Sequence, residues 1–362
     1  MKNLLRKEKG KLFLLIILMI CVLISGCSKQ KPAAASSAAA PAVKEGEFLI
    51  RLGHSNSPDP DNIITYASTY FANRIEELTN KGIKVEIYPL NQTGNDGDQL
   101  TALQNGSQEM NYTAMTSIAP FCQPMYVYSL PYLLPNPDKV VPIIMALWDK
   151  NQDWLTKKAG LRLIGYAVAG YRQLSTSSKY KITDLASAKG MKIRIPPNAI
   201  SEATFRKLGL EPVAMGVNEV FTSLQQGVVS AQENCLTFIR SEHLYEVQSY
   251  IIDINWQYNM GMFTMSEQFY QKLPQKYQEI VTQVGKEMTE KVIAKFSEMD
   301  TNDINYLKNP GKIEFLGKPA DYDKWVEIGK SVWENSYSVI GGGDAQAGKA
   351  VVDEIISVIN KY

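Results

Sequence analysis

The sequence is poor in the groups that metal centres and nucleophilic enzymes need. Its 362 residues include two histidines, His54 and His243, and four cysteines. Two histidines cannot build a His-rich metal centre, and the cysteines have no zinc-ribbon spacing. No G-x-S-x-G, H-E-x-x-H, C-x-x-C or Walker-type loop occurs. A Ser-His or Cys-His couple would have to draw on His54 or His243, and neither stands in a recognisable nucleophile context. An excess of charge is missing too: 38 Lys and Arg face 37 Asp and Glu, for a formal net charge of +1. That balance gives no field to attract nucleic acid or another polyanion. With only one long apolar run, a multi-span membrane protein is excluded. What is present, 45% apolar and 21% charged residues, is an ordinary globular composition in a chain long enough for two domains.

The apolar run lies at the start. Lys2, Arg6, Lys7, Lys9 and Lys11 form a positive segment ahead of residues 12–24, which have the length of a signal-peptide core and are short for a bilayer span. The run ends Leu23-Ile24-Ser25-Gly26-Cys27. Small residues before a cysteine suit a signal peptidase, and the Cys27 thiol can carry a diacylglycerol. The segment resembles a bacterial lipoprotein lipobox; the alternative is an uncut N-terminal anchor with Cys27 incidental. Residues 1–26 are expected to be a lipoprotein signal peptide, and 27–46 a lipid-anchored Ala/Ser/Pro linker with almost nothing to bury. On either reading the folded part is extracytoplasmic, tethered at the outer face of the cytoplasmic membrane. Cys122 and Cys235 are expected to be buried free thiols.

From Phe48 onward, strand and helix signals alternate. Strands are expected at 48–52, 83–87, 109–113 and 161–167, with helices at 61–79 and 97–105. The middle of the chain is clearest: a strand at 192–195 stopped by Pro196-Pro197, a helix at 199–208, a strand at 211–215, a helix at 218–226 capped by Asn218, and a strand at 228–232. Short connections make these strands parallel, and ligands of such sheets bind beyond the carboxyl ends of the strands. Arg194, the segment Met215-Gly216-Val217, and Glu233-Asn234 thus point at one crevice. The C-terminal third reads as helical, opened by Leu273-Pro274 and ending in a helix capped at Asp344 with Val351, Val352, Ile355, Ile356 and Ile359 on one face. The expected fold is two α/β lobes with a cleft between them.

Arginines beside strand ends stand out. Ile193 and Ile195 face one way, so Arg194 faces the other, where proline ends the ladder. A guanidinium there can offer two parallel N–H donors to one carboxylate; the plain alternative is a solvated strand-end arginine. Arg172 in Gly170-Tyr171-Arg172-Gln173 has the same two readings. Asn234 can donate to and accept from a polar ligand, or serve as a turn residue.

Together, Gly170-Tyr171-Arg172-Gln173, Leu185-x5-Met191-Lys192-Ile193-Arg194-Ile195-Pro196, Asn218-Glu219-Val220-x3-Leu224-Gln225-Gln226-Gly227-Val228-Val229 and Gln232-Glu233-Asn234 resemble the DctP-type solute-binding proteins of TRAP (tripartite ATP-independent periplasmic) transporters. Leu52-Gly53-His54, Leu130-Pro131-Tyr132 and Leu273-Pro274-x3-Gln278 fit as well, and the likeness runs from residue 48 to about 290. The resemblance implies a periplasmic-binding-protein-like fold that closes on an organic acid, with lobe I at 47–170 and 258–305, lobe II at 171–257 and 306–340, and a C-terminal helix at 341–362. It implies a carboxylate clamp at Arg194, a second cleft arginine at Arg172 and a hydrogen-bonding Asn234. Val217 falls where a cleft Phe is usual, and Trp256 near a usual His, so both are expected in the pocket wall. His54 is expected at the cleft or in the core. Tyr112, Tyr128, Tyr132 and Tyr166 are expected in the core or between lobes.

The sequence departs from the family's pattern around Gln232-Glu233-Asn234, where Ser230-Ala231 precede and Cys235 follows. The resemblance implies no cofactor, no metal and no catalysis. Its implied partners are a small four-helix and a large multi-span membrane subunit. A ligand-sensing receptor that presents a closed lobe to a sensor kinase or chemoreceptor needs the same cleft. An enzyme on a similar fold would lack a general base.

Overall fold

Alternating apolar residues in β1 (Phe48–Gly53) and β2 (Ile83–Tyr88) pair in parallel, Phe48 opposite Ile83 through Gly53 opposite Tyr88. The helix Ile63–Leu78 connects them and buries Ala67, Phe71 and Ile75 against the sheet. Asn62 starts this helix, its side chain accepting from the backbone N–H groups of Ile64 and Thr65; such a cap stabilises by about 1 kcal/mol. β3 (Met110–Ala114) lies on the other side of β1, and the helix Asp96–Asn105 before it ends on Gly106 in the left-handed region. These are elements of a computed structural model that describes residues 45–134 and 136–362. The expected signal peptide, Cys27 and nearly all of the expected linker lie outside the described residues.

Two sheets organise the rest. β4 (Leu161–Tyr171) ends the first sheet, and β5 (Gln173–Thr176) continues the chain in the second. β6 (Lys192–Ile195), β7 (Glu211–Ala214) and β8 (Ala231–Asn234) follow, β6 running parallel to both of the others. β9 (Tyr250–Ile252) completes the outward passage, and β10 (Tyr258–Ser266) returns to the first sheet between β3 and β4. β11 (Glu314–Gly317) adds an edge beside β9. The orders are β2-β1-β3-β10-β4 and β11-β9-β5-β8-β6-β7. The expected mixed α/β, two-lobed architecture is thus present, and the β-α-β-α-β middle is parallel as read from its connections.

The local limits differ in three places. The strand expected at 228–232 lies at Ala231–Asn234, because Val228 is exposed and the Ser230 carbonyl is taken by the Ser177 N–H before pairing with β5 begins. The helix expected from Asn218 opens as a 3-10 turn, Val217–Glu219. The Glu219 side chain, rather than Asn218, accepts from the Gly216 N–H, and the α-helix runs Val220–Gln225. The segment assigned to lobe II at 306–340 divides. The helix Tyr322–Lys330 packs on the helix Ala199–Lys207, whereas Trp333–Ile340 packs on the C-terminal helix Ala345–Ile359 and on the 3-10 turn Gln123–Ser129. Trp333 fixes that choice by donating its indole N–H to the Pro131 carbonyl.

The 33-residue helix Gln275–Leu307 lies along β4 and the first helix. A Cβ on Gly285 would stand 2.0 Å from the Ile164 carbonyl oxygen, so only glycine permits this approach. Cys122 and Cys235 are buried and free, as expected.

Candidate functional site

The sheets meet where the chain passes between them, at Arg172 and again between Ile252 and Tyr258. The carboxyl ends of β6 and β8 and the turn after β7 open onto this junction. A cavity of about 70 Å³ lies there, and an adjoining one of about 210 Å³ shares Asp96, Ser117, Arg194, Pro196 and Val217 with it. Asn198, which caps the helix Ala199–Lys207, bridges the two sides by donating to the Thr116 carbonyl at 2.9 Å and to Ser129 Oγ at 3.0 Å.

Arg194 lines both cavities. Its neighbours Ile193 and Ile195 point into the core with Phe205 and Trp325, which turns Arg194 to the opposite face. Its Nε and Nη2 donate to the Met215 carbonyl at 3.2 and 2.9 Å. The residue is 3% exposed and makes no ion pair among the described residues. Burial therefore pushes its pKa down to about 10, with the like charge of Arg172 adding to the effect while Glu233 and Asp96 oppose it. A buried guanidinium without its own carboxylate is costly until an anion fills the gap.

Arg172 is equally buried but not free. It forms a two-point ion pair with Glu233, its Nη2 donates to the Glu233 carbonyl at 2.8 Å, and its Nη1 donates to Asn259 Oδ1 at 3.1 Å. Burial works against its charge, but Glu233 more than restores it, and the pKa stands above the ordinary arginine value. Neither arginine is the solvated strand-end residue of the plain alternative.

Asn234 lines the cavity at the end of β8, with its amide donating to Gln232 Oε1 at 3.1 Å. Val217 lines both cavities. Trp256 does not reach the cleft and corrects the pocket-wall expectation. Its indole is buried edge-on against Phe205, 5.1 Å between ring centres, and donates to Glu233 Oε2 at 2.8 Å. It therefore acts on the site through Glu233. His54 is also in the core: it is fully buried, lines neither cavity, and its ring nitrogens have no hydrogen-bond partner among the described residues. Burial lowers its pKa to about 4, so the ring is neutral at pH 7.

Three residues escaped the sequence reading. Glu233 was placed at the crevice without a role; its pairing with Arg172 depends on the β5–β8 register, Gln173 opposite Asn234, which no local pattern reveals. Asp96 sits on the cavity at the first turn of its helix, where the extra acid beside Asp98 was the available signal. Tyr112, expected in the core or between lobes, packs on Phe263 and also lines the cavity. Among the described residues no group of three or more His, Cys, Asp or Glu side chains is placed to hold a metal ion.

Two α/β lobes that exchange the chain twice and meet in a polar cleft make a solute-binding protein of the bilobal type. Residues 52–339 match the bacterial extracellular solute-binding protein family 7, DctP. The chain belongs to that family, whose members are the solute receptors of TRAP transporters. A TRAP periplasmic solute-binding protein from Rhodobacter sphaeroides, solved in an open apo form, is 30% identical with a TM-score of 0.70, covering 86% of this chain and 99% of that one. The Haemophilus influenzae protein solved with bound L-gulonate is 26% identical with a TM-score of 0.76, at 86% and 99% coverage. The Sulfurospirillum deleyianum protein solved with bound succinate is 25% identical with a TM-score of 0.75, again at 86% and 99%.

Proposed function

We propose that this chain is an extracytoplasmic receptor that binds an organic acid through Arg194 and delivers it to the small and large membrane subunits of a TRAP transporter. Lipid on Cys27 holds it at the membrane in this reading. The observation that carries the proposal is the buried, unpaired Arg194 guanidinium facing the cleft. A ligand carboxylate supplies the missing counter-charge, and Asn234 and Asn259 offer amide groups beside it. The family membership and the acids held by the Haemophilus and Sulfurospirillum relatives support the ligand class. No bond is made or broken; affinity comes from a desolvated ion pair, hydrogen bonds and enclosure.

Calorimetric titration of wild type, Arg194→Ala and Arg194→Lys with a panel of organic acids and their amides tests this. Removing one partner of a buried charged pair costs roughly 2–5 kcal/mol, or about 30- to 3,000-fold in affinity. Lysine keeps the charge without the planar two-donor fork and should restore only part of the loss. A folded Arg194→Ala protein that binds within a few-fold of wild type, or equal binding of acid and amide, would sink the proposal.

A further inference from the structure

The charges around the cleft do not suit every acid. Arg172 and Arg194 both line the cavity, but Glu233 neutralises Arg172, which leaves Arg194 as the one of the two without a counter-charge among the described residues. The same cavity is also lined by an acid, Asp96. Its Oδ1 is shielded from water and makes no hydrogen bond among the described residues. The hydroxyl oxygen of Thr116, another lining residue, is likewise buried without a partner. Buried polar atoms in native proteins are nearly always satisfied, and two orphans on one cavity wall mark where a ligand's polar groups belong. Asp98, not Asp96, serves the helix start, its carboxylate accepting from the Asn95 N–H at 3.0 Å in a capping box. Asp96 is therefore spare for another task.

We propose that Asp96 selects monocarboxylates bearing several hydroxyls and rejects dicarboxylates, by accepting hydrogen bonds from the ligand's hydroxyls at Oδ1. This rests on Arg194 being the carboxylate's partner. A carboxylate oxygen accepts and cannot donate, so it welcomes a hydroxyl and repels a second carboxylate in the same desolvated space. The amides of Asn234 and Asn259 and the hydroxyls of Ser55, Thr116 and Ser117 extend the same chemistry, since each can both donate to and accept from a hydroxyl. Rejection here is an unfavourable contact built against the wrong ligand, which discriminates more sharply than a weaker attraction would. Burial raises the Asp96 pKa, while the neighbouring hydroxyls of Thr113, Ser117 and Ser55 and the charge of Arg194 act to keep the carboxylate ionised.

The experiment is calorimetric titration of the mature chain, wild type and Asp96→Asn, with six-carbon aldonates and uronates against succinate and malate. Wild type should bind at least one hydroxylated monocarboxylate ten-fold or more tighter than either dicarboxylate. Asp96→Asn should shrink that ratio at least ten-fold, mainly because succinate or malate gains. A gain of a new ligand class is not something a merely structural residue produces; Asp96→Ser provides a second variant should Asn fold poorly. Wild type that prefers a dicarboxylate, an unchanged ratio in both folded variants, or tight Asp96-dependent binding of alanine, tested as a zwitterion, overturns the inference. Arg194→Ala separates the layers. If it abolishes all acid binding while the Asp96 ratio stays fixed, only the selectivity claim fails; if acids bind regardless of Arg194, or none binds at all, both fail.

Discussion

Glu233 carries no exposed surface and holds three donors at once: two guanidinium nitrogens of Arg172 and the indole N–H of Trp256. Replacing it by Gln keeps the shape and one acceptor but removes the charge. Arg172 then becomes a buried cation without a counter-charge, still opposed by the like charge of Arg194. Breaking a buried pair from one side costs about 3–5 kcal/mol, and the retained hydrogen bond places Glu233→Gln near the lower end. With an unfolding entropy of about 2.1 cal/mol/K per residue, a domain of this size loses about 1.5 °C per kcal/mol, so the ligand-free melting temperature should fall by roughly 4–6 °C. Arg172→Met combined with Glu233→Gln removes both charges and should melt above the single variant, since a neutral pair leaves nothing uncompensated. Two unbalanced guanidiniums should also make a bound dicarboxylate stabilise Glu233→Gln more than it stabilises wild type. Melting curves of the three proteins, with and without succinate, test all of this. A Glu233→Gln protein that melts within about 1 °C of wild type would refute the view that Glu233 is the counter-charge of Arg172.

Two further predictions concern acid and membrane. The folded-state pKa of His54 lies below its unfolded value, falling from 6.5 to about 4. Its contribution to stability is therefore present above pH 6.5 and lost as the pH falls through that window, by roughly 3 kcal/mol at its end; His54→Gln should lose less melting temperature than wild type between pH 6.5 and 4, and an identical slope would refute the assignment. Cys27→Ser should release the protein to the medium or leave uncut precursor, as judged by membrane fractionation and intact mass, and processing and retention like wild type would refute lipidation.

Much of this architecture was readable in one dimension. The middle of the chain alternates short apolar strands with helices stopped at Gly209 and Gly227, so its parallel order follows from the lengths of the connections. Arg194 was legible for the same reason, since its isoleucine neighbours and Pro196 fix both its face and its place at a strand end. Glu233 was not, because its partner Arg172 stands just before β5, 61 residues earlier, and reaches it through the antiparallel register of β5 with β8 that forms only in three dimensions. Trp256 misled because a large aromatic near a cleft position can equally turn inward. Here Phe205 and Glu233 give it both an apolar face and a hydrogen-bond acceptor in the core. β8 slid three residues from its expected start because Val228 and Val229 look like strand residues but form the turn that delivers the chain to β5.

The two passages of the chain between the sheets run side by side, since β4 pairs with β10 and β5 with β9. Two adjacent straps form a fulcrum, and Arg172 is the residue on one of them. Rotation about a fulcrum moves atoms near it little and atoms at the ends of the levers far. The long arms here end at β2 in one sheet and β7 in the other, several strands from the pivot. A small adjustment around an occupant near Arg172 would thus be magnified at those outer edges, so fluorophores placed on Lys84 and Glu211 should register occupancy through a change in their separation, although neither residue touches the cavity.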